Sequence, residues 1–135
     1  MKIKLHHVNI SSSNVPAMEN FYRGVLGLGD EDPEELPPVD RSRGVVGEVA
    51  FVTDGAIQMH LSERDPLNTF KTGQAINPLV RGHIAFRTDD IEAFKKHLEA
   101  QDIPYSDWGG LAVTGWHQVF FFDPEGNVVE VHQVT

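Results

Sequence analysis

The chain has 135 residues, enough for one domain with a real core, and at 40% hydrophobic and 23% charged it reads as an ordinary soluble globular protein rather than a disordered tail. It contains no cysteine, which excludes disulfides, thiolate metal sites and cysteine nucleophiles and fits a reducing compartment. Eleven Lys and Arg against 20 Asp and Glu give a net charge of −9, so nucleic acid, whose phosphates need a basic face, is not an expected partner.

The opening residues, MKIKLHHVNI, show no apolar h-region and no cleavage site, and no apolar run approaches the ~18 residues that span a bilayer. A cytoplasmic location without a membrane partner is the expectation. His7-Val8-Asn9-Ile10 reads as a strand that feeds a helix. Asn14 is the expected N-cap, and Pro16 sits in the first turn, where proline is tolerated. Met18, Phe21, Tyr22 and Val25 form the expected apolar face, and Gly27 can end the helix. A long loop follows over 29–44, with Pro33, Pro37 and Pro38. Residues 30–35, DEDPEE, place five acids in six positions. They read as a solvated loop, with a lid or a surface for a cationic ligand as the sharper alternative. Next come a predicted strand VVGEVAFV, a turn at Asp54-Gly55 and a strand AIQMHL. The stretch 66–79, PLNTFKTGQAINPL, reads as a linker.

The second half opens on RGHIAFRTDD, residues 81–90. Its alternation puts His83, Ala85 and Arg87 on one strand face and Ile84 and Phe86 on the other. Asp90 caps a helix whose face is Ile91, Phe94 and Leu98, and Pro104 follows its end. A Gly-rich link, a strand HQVFFF, a turn DPEGN and a strand VVEVHQ complete the chain.

The two halves repeat. HVNISSSNVPAM from His7 echoes HIAFRTDDIEAF from His83, and Ile57-Gln58-Met59-His60 echoes Val129-Glu130-Val131-His132. The organisation expected is one domain over 1–135, with module one at 1–65, the linker at 66–79 and module two at 80–135. Each copy alone would leave a sheet face uncovered, so the two should complete each other. The repeat selects His7 over His6, which should fall on the opposite face. It pairs His7 with His83 and Gln58 with Glu130. If the sheet curves, these four converge on its concave face. Two imidazoles, one carboxylate and one amide oxygen make a divalent-metal set, and two His with one carboxylate is the constellation of non-haem Fe(II). Zn, Ni, Co and Mn also accept such ligands. A metal there would be a Lewis acid stabilising an enolate or alkoxide. His60 and His132, two residues along the same strand faces, are candidates to touch the ligands or the substrate.

His7-Val-Asn-Ile, the helix Asn20-Phe-Tyr-Arg-Gly-Val-Leu-Gly-Leu28, His83-Ile-Ala-Phe and Phe121-Phe-Asp-Pro-Glu-Gly-Asn-Val-Val-Glu-Val131 together resemble the vicinal oxygen chelate superfamily. That group includes glyoxalase I, extradiol dioxygenases, methylmalonyl-CoA epimerase, and fosfomycin and bleomycin resistance proteins. The resemblance covers nearly the whole chain. It implies an α+β fold of two βαβββ modules forming a curved mixed sheet around a metal site. One divalent ion (Fe, Ni, Co, Zn or Mn) would be held by His7, Gln58, His83 and Glu130. His60, His132, Arg87, Trp116 and His117 would be contacts to the ligands or the substrate.

The function this implies is a metal-dependent glyoxalase-type lyase or isomerase, in which Glu130 or a metal-bound hydroxide moves the proton of a small oxygenated substrate. Gln58 departs from the glyoxalase I pattern, which places a glutamate at both module ends. An epimerase is similar in its His/Gln/His/Glu set, with Glu48 as the nearest second carboxylate. A dioxygenase would draw on His117 and Tyr105, and a fosfomycin transferase on Arg81 and Arg87. A drug-sequestering protein would stack a cation on Trp108, Trp116 and Phe120. A homodimer is the expected assembly.

Overall fold

The computed structural model describes residues 1–135. Seven strands form one mixed, open sheet: β1 (Ile3–Ser12), β2 (Val49–Thr53), β3 (Gln58–Glu63), β4 (Gly82–Thr88), β5 (Tyr105–Gly109), β6 (Trp116–Phe122) and β7 (Val128–Val134). Their spatial order is β2-β3-β1-β4-β7-β6-β5. The helices are α1 (Val15–Gly24), α2 (Asn68–Thr72) and α3 (Ile91–Ala100), with single turns at Pro33–Glu35 and Arg41–Arg43. At the centre β1 and β4 run antiparallel. Each is flanked by the closing strand of its own half, β3 and β7, and both of those pairings are parallel. The α+β mixed sheet expected from the sequence is therefore the fold observed.

Capping chemistry explains where the two long helices begin. Asn14 accepts a hydrogen bond from the Ala17 amide, and Asp90 does the same for Ala93. Helix α1 stops where Gly27 takes φ +72°, with Gly27 N–H donating to Arg23 O and Leu28 N–H to Tyr22 O. Both helices pack on one face of the sheet. Val15, Met18 and Tyr22 meet Val52 and Leu61, while Ile91, Phe94 and Leu98 meet Val119 and Val131. Burying each such side chain contributes about 1.5–3 kcal/mol. The stripe on α1 is narrower than its sequence suggests, because Phe21 and Val25 are exposed.

Four further expectations are corrected. The strand drawn from VVGEVAFV begins only at Val49, because Val45 leaves the sheet to pack against Trp108 and Trp116. The Gly-rich link hides β5, in which Ser106 and Trp108 are buried while Asp107 faces out. Pro104, Asp107 and Gly109 masked that alternation. The linker 66–79 contains α2, with Asn68 buried under it. His6 does not fall on the face opposite His7. A β-bulge lies between Leu5 and His7, and His6 Nδ1 sits 2.8 Å from His7 Nδ1.

The central pairing is tightest at Gly82, immediately before His83. It takes φ +124°, and a Cβ there would lie 2.0 Å from the Asn9 carbonyl oxygen. A Gly82→Ala protein should lose ~3 kcal/mol or more of stability, from strain and from forcing β1 and β4 apart. Urea unfolding checks this, and a loss below ~1 kcal/mol would mean that the pair separates freely.

Candidate metal centre and substrate cavity

The three central strands bring His7, His83 and Glu130 together on the face away from the helices. One ligand atom from each lies within 4.8 Å of the others. His83 Nδ1 is 2.9 Å from the Pro78 carbonyl, which can only accept, so Nδ1 carries the proton. Its Nε2, left bare, lies 2.9 Å from Glu130 Oε2. His7 Nε2 lies 3.5 Å from the same oxygen. In the tautomer that leaves His7 Nε2 bare, its Nδ1–H donates to His6 Nδ1. Burial first, and then the neighbouring His7, push the His6 pKa down to about 3, which keeps His6 neutral and able to accept.

With both rings neutral and in these tautomers, lone pairs face a carboxylate oxygen at 2.9 and 3.5 Å. A cation between them resolves that repulsion, and N and O donors are the set that divalent ions take. Ligand bonds of about 2.1 Å would need only small side-chain movements to close on one ion. All three groups come from one chain.

Glu130 is almost wholly buried. Burial by itself would raise its pKa. The His7 imidazole and the hydrogen bond from His132 outweigh that, and the carboxyl is held well below the usual range. The donors form a chain. Arg87 Nε–H donates to His132 Nε2 at 3.0 Å, which leaves the His132 proton on Nδ1, 2.9 Å from Glu130 Oε1. Gln118 Nε2 donates to the same oxygen at 3.2 Å. Trp116 lies flat on His132, with ring centroids 3.9 Å apart, and the Arg87 guanidinium sits 5.2 Å from the Trp116 centroid. His132, Arg87 and Trp116 thus surround Glu130 as a group.

Gln58 and His60 exchange the places that sequence matching assigned them. On the central pair His7 lies opposite Ala85 and Asn9 opposite His83, so a half-turn between β1 and β4 exchanges His7 with His83 and Asn9 with Ala85. Asn9 pairs with His60 on β3, and Ala85 pairs with Glu130 on β7. The counterpart of Glu130 is therefore His60, and matching by residue type was offset by two. Gln58 lies opposite His7 and does not line the central cavity. Its amide N–H donates to Glu35 O at 2.7 Å, and its Oε1 accepts from His60 Nε2–H at 2.8 Å. His60 Nδ1 is thereby left without a proton. The His60 ring stacks on that of His7, centroids 3.8 Å apart and planes 17° from parallel. The donor atoms that come together are those of His7, His83 and Glu130, and His60 is not among them. Burial first, and then His7, hold His60 well below its usual pKa.

Above these residues lies a cavity of about 60 Å³, walled by Phe51, Val113, Trp116, Phe120 and the 37–46 loop. Neither Lys nor Arg lines it, and its one carboxylate is Glu130. The acidic stretch 30–35 lies outside, where Asp32 caps the turn at Pro33–Glu35. Other sequence candidates face elsewhere. His117 points to the helix side of β6 and bonds Asp107 Oδ1 at 2.6 Å, since its neighbours Trp116 and Gln118 take the cavity side. Tyr105 donates to Glu99. Glu48 and Arg81 are exposed and do not line the cavity. The sequence reading missed His6 and Gln118. Nothing local announces a bulge at His6, but an amide inside the apolar run HQVFFF was a usable signal for Gln118.

The family model described as the Glyoxalase/Bleomycin resistance protein/Dioxygenase superfamily matches residues 4–131, and the chain belongs to that superfamily. Among solved structures it resembles a hypothetical protein from Bacillus halodurans (TM-score 0.67, 19% identity, covering 100% of this chain and 96% of that one). A methylmalonyl-CoA epimerase from Mycobacterium tuberculosis matches with TM-score 0.62 and 17% identity, over 98% of this chain and 88% of that one. A catechol 2,3-dioxygenase matches with TM-score 0.55 and 16% identity; the alignment takes 97% of this chain but 41% of the dioxygenase. At these identities the likeness is one of fold. No curated protein matches the sequence. No helix is long and apolar enough to cross a membrane.

The pKa directions set an acid limit on stability. His6, His7 and His60 are all depressed from the ordinary 6.5, so below that value the unfolded chain takes up protons that the fold refuses. Glu130 is depressed from 4.5 and adds a further loss as the pH falls below that value. In chelator, the urea midpoint should be level above pH ~7 and fall steadily on acidification. A midpoint that rose between pH 6.5 and 5 would contradict neutral histidines.

Proposed function

We propose that the chain is a divalent-metal-dependent enzyme of the glyoxalase type. It would hold a small oxygenated substrate in the cavity beside His7, His83 and Glu130 and isomerise or cleave it through an oxyanion. The observation that carries this reading is the 2.9 Å approach of His83 Nε2 to Glu130 Oε2 with the His83 proton committed to Pro78. A divalent ion held there would supply Lewis-acid stabilisation of the developing negative charge.

The protein's own residues divide the remaining work. Glu130 has Oε1 occupied by His132 and Gln118 and Oε2 turned toward His7 and His83, which suits an oriented ligand better than the proton carrier expected from the sequence. His60 suits the holding of a substrate hydroxyl. It lines the cavity, its Nε2–H is held by Gln58, and its bare Nδ1 can accept a hydrogen bond. Trp116, Phe120 and Val113 exclude water from the reacting groups. Two histidines and one carboxylate with Gln58 turned aside also make the Fe(II) oxygenase set, and this observation supports an oxygen-dependent reaction as the second reading.

Elemental analysis of protein purified without added metal or chelator is the test. About one equivalent of Ni, Co, Zn or Mn, lost in His83→Ala, is the expected result. One equivalent of Fe would move the assignment to the oxygenase. No metal, with none taken up on dialysis, would overturn both. His60→Ala should keep its metal while turnover falls about 10²-fold, once a substrate is in hand.

A further inference from the structure

Three buried side-chain polar atoms in the protein have no hydrogen-bond partner: Asn68 Oδ1, Trp108 Nε1 and Gln118 Oε1. Buried polar groups are rarely left so, and each such atom calls for a reason. Asn68 lies away from the cavity. Trp108 and Gln118 both line it, at 4% and 5% exposure. One is an obligate donor and the other an acceptor.

Their orientations are set. The Gln118 amide donates through Nε2 to Glu130 Oε1, so a flipped amide would press its oxygen against a carboxylate. Gln118 Oε1 is therefore committed as an acceptor. The Trp108 indole is packed edge-on against Phe120, ring centroids 5.0 Å apart, within the cluster that also holds Val113 and Trp116. Its N–H can only donate.

We propose that the cavity selects an uncharged ligand bearing both a donor, a hydroxyl or amide N–H received by Gln118 Oε1, and an acceptor oxygen that takes the Trp108 indole N–H. The inference rests on the reading of this cavity as the substrate site. Charge supports it. With no Lys or Arg in the lining, an anionic group away from the candidate ion site would go uncompensated. A cationic ligand would find only Glu130, with Oε1 taken by His132 and Gln118 and Oε2 turned to the candidate ion site. The apolar walls suit a ligand with a hydrocarbon or aromatic body. An analogue that keeps this body but lacks the donor would strand Gln118 Oε1 once more, and sites of this kind reject such analogues strongly.

The test uses the full chain as purified, labelled with ¹⁵N. Its two tryptophans give two indole N–H signals, and Trp108→Phe identifies the relevant one. Benzamide and 2-phenylacetamide carry donor and acceptor together. Acetophenone and phenylacetone have the same bodies and the carbonyl, with a methyl in place of the amide nitrogen. The better amide should bind at least about tenfold more tightly than its ketone and move the Trp108 signal downfield. Gln118→Met should erase that advantage without weakening the ketone, and Trp108→Phe should weaken amide and ketone alike. Equal affinities within both pairs, an unmoved Trp108 signal, or no binding up to the solubility limit would each overturn the proposal. Should Gln118→Met not fold, the amide-to-ketone ratio in the parent protein still decides. The titration needs no ion and no turnover, so a failure of the metal reading appears separately, in elemental analysis.

Discussion

A carboxylate with almost no access to water has to be answered by hydrogen-bond donors or by a cation held beside it, and in this protein that carboxylate is Glu130. A buried charge that loses its partners costs several kcal/mol, so the surroundings of Glu130 are tightly specified. Its partners come from four different strands: His7 on β1, His83 on β4, Gln118 on β6 and His132 on its own β7. They meet only if the central pairing of β1 with β4, and the flanking one of β4 with β7, keep their registers. A slip of one residue would turn Glu130 and His132 into the hydrophobic layer under α3 and bring Val129 and Val131 to the cavity.

The two sheet faces are thereby given separate tasks. On one, Leu61, Val119 and Val131 anchor the helices and provide the apolar burial that stabilises the fold. On the other, the strands present a row of polar side chains, Asn9, Ser62, His60, Gln118 and Glu130, beneath a roof of Val45, Val113, Trp108 and Trp116. That roof strengthens each electrostatic interaction below it by excluding water. Arg87 reaches the network from the side, through His132 alone, and so keeps its charge at the margin while fixing the tautomer of the histidine that orients Glu130.

Much of the candidate site was legible in the chain. Two histidines opening matching strands, and a glutamate in the closing strand, could be picked out because strand alternation puts residues of one parity on one face. The helix caps Asn14 and Asp90 and the stripe Ile91, Phe94 and Leu98 were legible for the same kind of reason, since capping and helical periodicity are local. The errors share an origin. Gln58 was paired with Glu130 by resemblance of neighbouring residues, yet register is set by hydrogen bonds between strands distant in sequence, and it assigns that place to His60. His117 was chosen for its chemistry, and parity put it on the helix side. The bulge at His6 inverts parity for one residue and leaves no local mark.

By itself the sequence determined the superfamily and the α+β architecture and put His7, His83 and Glu130, together with Gln58, in one candidate set, because periodicity, caps and an internal repeat are written in residues close together along the chain. Only the tertiary structure decided which nitrogen of His83 is free, that Gln58 serves His60, and that Gln118 and Trp108 face the cavity without partners. Proton positions and unpaired atoms depend on what stands within about 3 Å of a group in space, and strands brought side by side from opposite ends of the chain supply those neighbours.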